Sequence, residues 1–336
     1  MFGKFLNNYY YGKSGKGDYR KGDLPQNRWQ QFWEMLRVRL AGLFRMNLMT
    51  ALAFLPLMYV LIITLNALFA HLIILAEVAA DRAGASAEYL QIADNSAQHT
   101  YSILFTGCLM LIPAIAITGP VQSGLAYVTR NWARDEHAFV WSDFLDALKG
   151  NWKQALGVSL ITGVMPLIVL VCYQFYGAMA ANSAFFIVPQ MLTVGLGLVW
   201  ALALTYLYPM MVTYQMGFGT LLRNALLLTL GRLPHTVGVR LVMLVPALIA
   251  LAVAFATPYW MYAVMALAGY YLLIGNALAR FVYAAFTNAV FDRFINPRIP
   301  GTQVNRGLAD PEDLDEEEEL VQEAPVRPEN APGTLV

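Results

Sequence analysis

The chain has 336 residues, of which 58% are hydrophobic and 13% charged. Soluble domains run at about 25% charged and roughly 45 to 50% apolar even with Gly counted, so this composition argues against a water-soluble fold and for a chain immersed in hydrocarbon. Its formal net charge of zero hides a division: residues 300–336 hold ten acidic side chains against two Arg, leaving 20 basic and 12 acidic residues in the first 299.

Residues 1–46 read as a basic cytoplasmic segment, with Lys4, Lys13, Lys16, Arg20, Lys21, Arg28, Arg37, Arg39 and Arg45. No short apolar stretch followed by a small-residue cleavage site occurs there, so no secretory leader is expected and the first span serves as the insertion signal. Gly12-Lys13-Ser14 is not a phosphate loop, because the pattern requires Gly where Asn7 stands and no strand precedes it. Gly12 to Gly22 reads as a basic loop lying against anionic headgroups. Phe32, Trp33, Leu36, Leu40 and Leu43 then recur at helical spacing beside Arg37, Arg39 and Arg45, the pattern of a helix lying in the interface.

A membrane crossing takes about 20 mostly apolar residues. Six stretches qualify, near residues 47–70, 101–128, 154–177, 185–212, 237–257 and 260–284, and Val158 to Gly177 carries no charge at all. A lipid-facing barrel would alternate polar and apolar residues, which these runs do not. Before the third span, Trp141 to Leu148 is a second interfacial candidate, capped by Ser142 or Asp143 and ended by Gly150; before the fifth, Leu221 to Leu230 is a third, closed by Gly231. The expectation is an all-α integral membrane protein: six spans forming three hairpins across residues 47–298, each hairpin preceded by a cytoplasmic interfacial helix.

Basic residues mark the inner side. Besides the N-terminal nine, Arg130, Arg134, Lys149 and Lys153 lie between spans two and three, Arg223, Arg232 and Arg240 between four and five, and Arg280, Arg293 and Arg298 at the end, whereas the first outer loop has only Arg82. Both termini are therefore expected on the cytoplasmic side of the membrane. Tyr173, Phe175, Tyr176, Phe185, Phe186, Tyr259, Trp260 and Tyr262 gather at the opposite boundary, where amphipathic rings settle. Residues 299–336, aromatic-free from Pro300 and with the run Asp315 to Glu319, read as a disordered acidic tail.

Sliding residues 150–170 by 81 positions gives eight identities in 21, Gly150 with Gly231 and Gly157 with Gly238 among them, which suggests an internal repeat. Pro56, Pro166 and Pro246 fall at near-equal depths past Gly42, Gly150 and Gly231.

Little chemistry is legible. His71, His99, His137 and His235 show no close metal spacing, no hydrolase elbow occurs, and neither metal nor cofactor nor nucleic acid is implied. Cys108 and Cys172 lie within spans as buried thiols. The ionisable residues nearest the spans, His71, Glu77, Arg240 and Arg280, sit where they can snorkel, which disfavours ion-coupled transport. Asn66, Gln122, Gln174, Gln190, Asn276 and Asn288 are explained by hydrogen bonds between helices.

The richest stretch is Gly119-Pro120, Gly124-Leu125, Arg130-Asn131, Glu136-His137, Asp143-Phe144 and Asn151-Trp152-Lys153. With Gly12 to Gly17, Asn47, Pro56, Asn224-Ala225-Leu226 and Pro234, it resembles the YesL-like family of bacterial multi-pass membrane proteins, over nearly everything from Met1 to about residue 298. The resemblance implies an accessory role beside carbohydrate uptake and brings no catalytic residues. Gly119, Pro120, Arg130, Asp143, Phe144, Asn151, Lys153, Asn224 and Pro234 are then candidates for docking a permease or sensor protein. A second reading is a small-solute transporter or channel, with Gln122 and Asn276 lining the path. A third is a membrane enzyme with a cytoplasmic cavity lined by Asp143, His137 and Arg130.

Overall fold

A computed structural model describes residues 24–309, and the expectations for the Gly12 loop and for the acidic run Asp315 to Glu319 fall outside them. The described chain folds into nine α-helices, joined by short helical turns and loops, without a strand: α1 Arg28–Ala80, α2 Ala87–Asp94, α3 Ser96–Ala133, α4 Val140–Ala180, α5 Ile187–Thr213, α6 Phe218–Gly231, α7 Leu233–Ala256, α8 Trp260–Tyr270 and α9 Asn276–Phe294. Six of the resulting rods are long and apolar enough to cross a membrane: α1, α3, α4, α5 with the short turn before it, α7, and the run from α8 through α9 to Arg298. In hydrocarbon only a structure that satisfies its own backbone groups can span, and a helix does so residue by residue.

The helices differ from expectation at their basic ends. Neither Gly42 nor Gly150 stops its helix, so the first two interfacial segments continue without a break into the spans beyond them. A helical Gly costs only about 1 kcal/mol relative to Ala, too little to break a helix held by packing on both sides. Gly42 has a different use: a Cβ there would lie 2.9 Å from the indole of Trp132, so the missing side chain lets α1 approach α3. Only the third segment forms a separate helix, α6, ending at Gly231. The repeat-paired Gly150 and Gly231 thus occupy different settings, whereas Pro56, Pro166 and Pro246 all lie inside helices. α4 starts at Val140 rather than at Ser142 or Asp143, and Asp143 reaches back to accept the N–H of Phe139 at 2.9 Å.

α3 and α4 pack closely where glycines face the partner helix. A Cβ at Gly119 would stand 2.5 Å from the Ala155 carbonyl, one at Gly124 2.5 Å from the Phe144 ring, and one at Gly163 2.9 Å from the backbone of Ile112. Ser159 seals the same seam, donating to the Ala116 carbonyl at 3.0 Å. With no hydrophobic drive between helices in lipid, such close backbone approach is what holds spans together. Phe175, Phe185, Tyr259 and Tyr262 face outward at the far end, as interface rings would.

The last span contains a five-residue π segment, Tyr271–Gly275, between α8 and α9. Its widened turn frees backbone groups, and Asn47 of α1 meets them: its amide donates to the carbonyls of Tyr271 at 2.9 Å and Leu272 at 2.7 Å, and its oxygen accepts the N–H of Ala277 at 2.8 Å. A π insertion also turns the remainder of the span by about 100° relative to an uninterrupted helix.

Residues 299–309 are ordered against the basic end. The Ala309 N–H donates to the Pro25 carbonyl at 3.0 Å, and Arg306 pairs with Glu136 at 3.2 Å. Both ends of the described chain therefore lie at the same end of the bundle.

Candidate functional site

Five of the six spans line a cavity of ≈ 600 Å³. Phe54 and Leu57 come from α1, Gln122 from α3, Leu198, Ala201 and Leu202 from α5, Arg240 and its neighbours from α7, and Tyr271, Asn276, Arg280 and Tyr283 from the last span. Gln122 and Asn276, paired in the sequence as a polar path, thus converge on one space. Each amide keeps one hydrogen bond within its own span, Gln122 to the Thr118 hydroxyl at 3.0 Å and Asn276 to the Tyr271 carbonyl at 3.3 Å. By contrast, Gln190 donates to the Tyr173 carbonyl at 3.1 Å and joins two spans, the role expected of all such residues.

Arg240 and Arg280 correct the snorkelling expectation. Arg240 lies seven residues past the start of α7 at Leu233, about 10 Å of helical rise, and turns inward. Its Nε donates to Thr205 Oγ1 at 2.8 Å and its Nη1 to the Tyr283 hydroxyl at 3.2 Å, with the guanidinium carbon 4.7 Å from the centre of that ring. Arg280, three residues before Tyr283 on α9, stacks over Tyr208 of α5 at 4.4 Å, and its Nη1 is buried without a hydrogen-bond partner. Ring faces attract such cations, most strongly where water is excluded. No carboxylate lines the cavity, and among the described residues neither arginine has one within 4.0 Å. The sequence held one usable signal, two Arg in otherwise uncharged apolar runs; which way they point depends on the Tyr and Thr they face.

The docking candidates separate. Gly119 and Phe144 are internal packing residues, Pro120 lies inside α3, Pro234 opens α7, Asn151 donates to the Ala147 carbonyl at 2.9 Å, and Lys153 lies over the Trp152 ring at 5.7 Å. Arg130 and Asn224 meet in a cavity of ≈ 910 Å³ at the basic end, together with Arg134 and Arg298. Asp143 and Asn151 share a second one, of ≈ 610 Å³. His137 lines neither and packs edge-on against Phe139, so the three residues proposed for a membrane enzyme are not brought together. Nearby, Asp292 accepts from Arg28, Asn296 and the Asn305 N–H, and Tyr214 donates to Asn296 at 2.6 Å. Burial first, and Asp292 second, push the Tyr214 phenol up, keeping it a neutral donor. At the other end, the rings of His71 and His99 lie 4.8 Å apart at a tilt of 37°, a pair their spacing does not announce.

Six long apolar helices, five of them lining one cavity, define a multi-pass α-helical membrane protein. The family described as "Protein of unknown function, DUF624" matches residues 62–173, from mid-α1 into α4, a stretch that includes Gly119 to Lys153 and is compatible with the YesL-like resemblance. No curated protein and no solved structure matches the chain. Of the polar cavity residues, Gln122 alone lies inside the matched stretch.

Proposed function

We propose that this protein is a small-solute binding and transport protein of the cell membrane, its termini in the cytoplasm, with the cavity around Gln122, Asn276 and Tyr283 as its ligand site. The observation that carries this reading is the convergence of two amides, two tyrosines and two guanidiniums on one space between apolar helices. Polar and ionisable groups held inside spans are costly and generally mark a ligand or ion path. A π segment in the same wall adds weight, since such segments recur at functional sites.

A second reading, an accessory protein docking a permease or sensor beside carbohydrate uptake, draws its support from the basic-end cavity that joins Arg130 to Asn224. It ranks lower because Gly119 and Phe144 are used up in helix packing.

Thiol accessibility tests the first reading. In a Cys108→Ala, Cys172→Ala background, Cys placed at Gln122 or Asn276 should react with a small charged thiol reagent in membrane vesicles. If both stay unreactive from either side while Ser183→Cys reacts, the cavity is not a solute site.

A further inference from the structure

The two arginines select the ligand's charge and the cavity's rim selects its form. Arg cannot shed its proton in a protein, so Arg240 and Arg280 bring two fixed positive charges into a wall of apolar side chains. Their contacts within the described chain are ring faces, a hydroxyl and a phenol, all neutral, and Arg280 still holds a buried donor with nothing to bond. A charge so placed calls for an opposite one, and guanidinium forks fit the oxygens of phosphate or carboxylate.

The cavity is not walled on every side by protein. Leu198 of α5 and Leu241 and Leu244 of α7 line it and are 61%, 51% and 46% exposed, so the cavity is least covered between these two spans, where the surrounding medium is lipid. The seam between α5 and α7 is thus apolar outside and cationic within. A freely soluble anion gains nothing from such a rim, whereas a molecule with an acid head and a hydrocarbon tail satisfies both parts.

Building on the reading of the cavity as the ligand site, we propose that it binds the acid headgroup of an anionic amphiphile entering sideways from the bilayer between α5 and α7. The head, a phosphate monoester for preference, lies between Arg240 and Arg280, and the tail runs out past Leu198 and Leu241. A dianionic monoester balances two guanidinium charges.

Thermal unfolding of the full chain in a neutral maltoside detergent tests this, with phosphatidic acid, phosphatidylcholine or inorganic phosphate added. Phosphatidic acid should raise Tm saturably, and the other two should not. Arg240→Gln and Arg280→Gln should each weaken the apparent affinity at least tenfold, Arg280→Lys should weaken it less, and Arg223→Gln on the exposed face of α6 should leave it unchanged. Should a Gln variant fold poorly, the Lys variant and the wild-type lipid series decide. Equal stabilisation by phosphatidylcholine, or a phosphatidic acid effect that survives both Gln substitutions, overturns the proposal. Saturation by inorganic phosphate, with no further gain from the lipid, replaces the amphiphile with a soluble anion. If no anion stabilises the protein while Cys at Gln122 or Asn276 still reacts with the thiol reagent, this inference fails and the reading beneath it stands; if both cysteines are unreactive as well, both fail.

Discussion

Asn47 of the first span and Ala277 of the last are joined by a 2.8 Å hydrogen bond from backbone N–H to amide oxygen, while the Asn47 amide nitrogen serves two carbonyls of the π segment just before. One buried side chain thereby satisfies three backbone groups that an α-helix would have paired internally.

Asn47→Leu should therefore cost about 2 to 4 kcal/mol, since unpartnered buried polar groups cost roughly 1 to 3 kcal/mol each and the backbone relaxes in part. Asn47→Asp keeps the acceptor for Ala277 but sets a buried carboxylate against the Tyr271 and Leu272 carbonyl oxygens, so it should cost at least as much as Leu. Thermal unfolding in detergent measures the order, and a wild-type Tm for Asn47→Leu would remove the role assigned to this residue.

Two glycines of adjoining helices should respond oppositely to the same change. Gly119→Ala places a methyl 2.5 Å from a backbone carbonyl that cannot move aside, and overpacking of this kind costs about 1 to 3 kcal/mol. Gly150→Ala meets nothing within 4 Å and lies inside a continuous helix, so it should stabilise by up to about 1 kcal/mol. Paired melting curves check the sign of each.

Asp292 fastens the segment after the last span. Its carboxylate serves Arg28, Asn296 and Asn305 at once, with only 9% of the side chain exposed. Asp292→Ala leaves Arg28 only its bonds to Gln31 and Asn305 and loosens residues 299–309, so trypsin should cut at Arg298 and Arg306 several-fold faster than in wild type. Unchanged cleavage would show that the Ala309–Pro25 and Arg306–Glu136 contacts hold the segment unaided.

Thr205→Val removes the acceptor at Arg240 Nε without changing the shape of the site. A loss of about 1 to 3 kcal/mol in stability is expected, because the donor stays buried and charged. Tyr283→Phe, which keeps the ring beneath Arg240 and drops one hydroxyl, should cost less.

The spans were readable because lipid imposes a length and a polarity that no local detail can override: four expected spans lie wholly within α1, α3, α4 or the run from α8 to α9, and the other two overrun α5 and α7 by only two residues and one. Helix ends were harder. Gly150 looked like a stop because a Gly commonly ends a helix, but α4 runs through it, and Gly42 makes room for Trp132, a contact 90 residues away in the chain. Arg240 and Arg280 were misplaced for a related reason, since hydropathy averages along the chain and does not report direction; Tyr208, Thr205 and Tyr283 turn them inward. Gln122 and Asn276 were legible as polar residues in apolar runs, yet their meeting depends on the π segment, which no residue pattern announces.

The unbroken length of α1 gives the molecule a lever. Its 53 residues extend for about 80 Å, with Arg28 tethered to Asp292 at one end and the loop before α2 at the other. A tilt of only about 5° about the basic end would sweep the opposite tip through roughly 7 Å, taking Ala80 and the turn beyond it along. Small displacements where α1 begins are thereby delivered, magnified, across the full thickness of the bilayer.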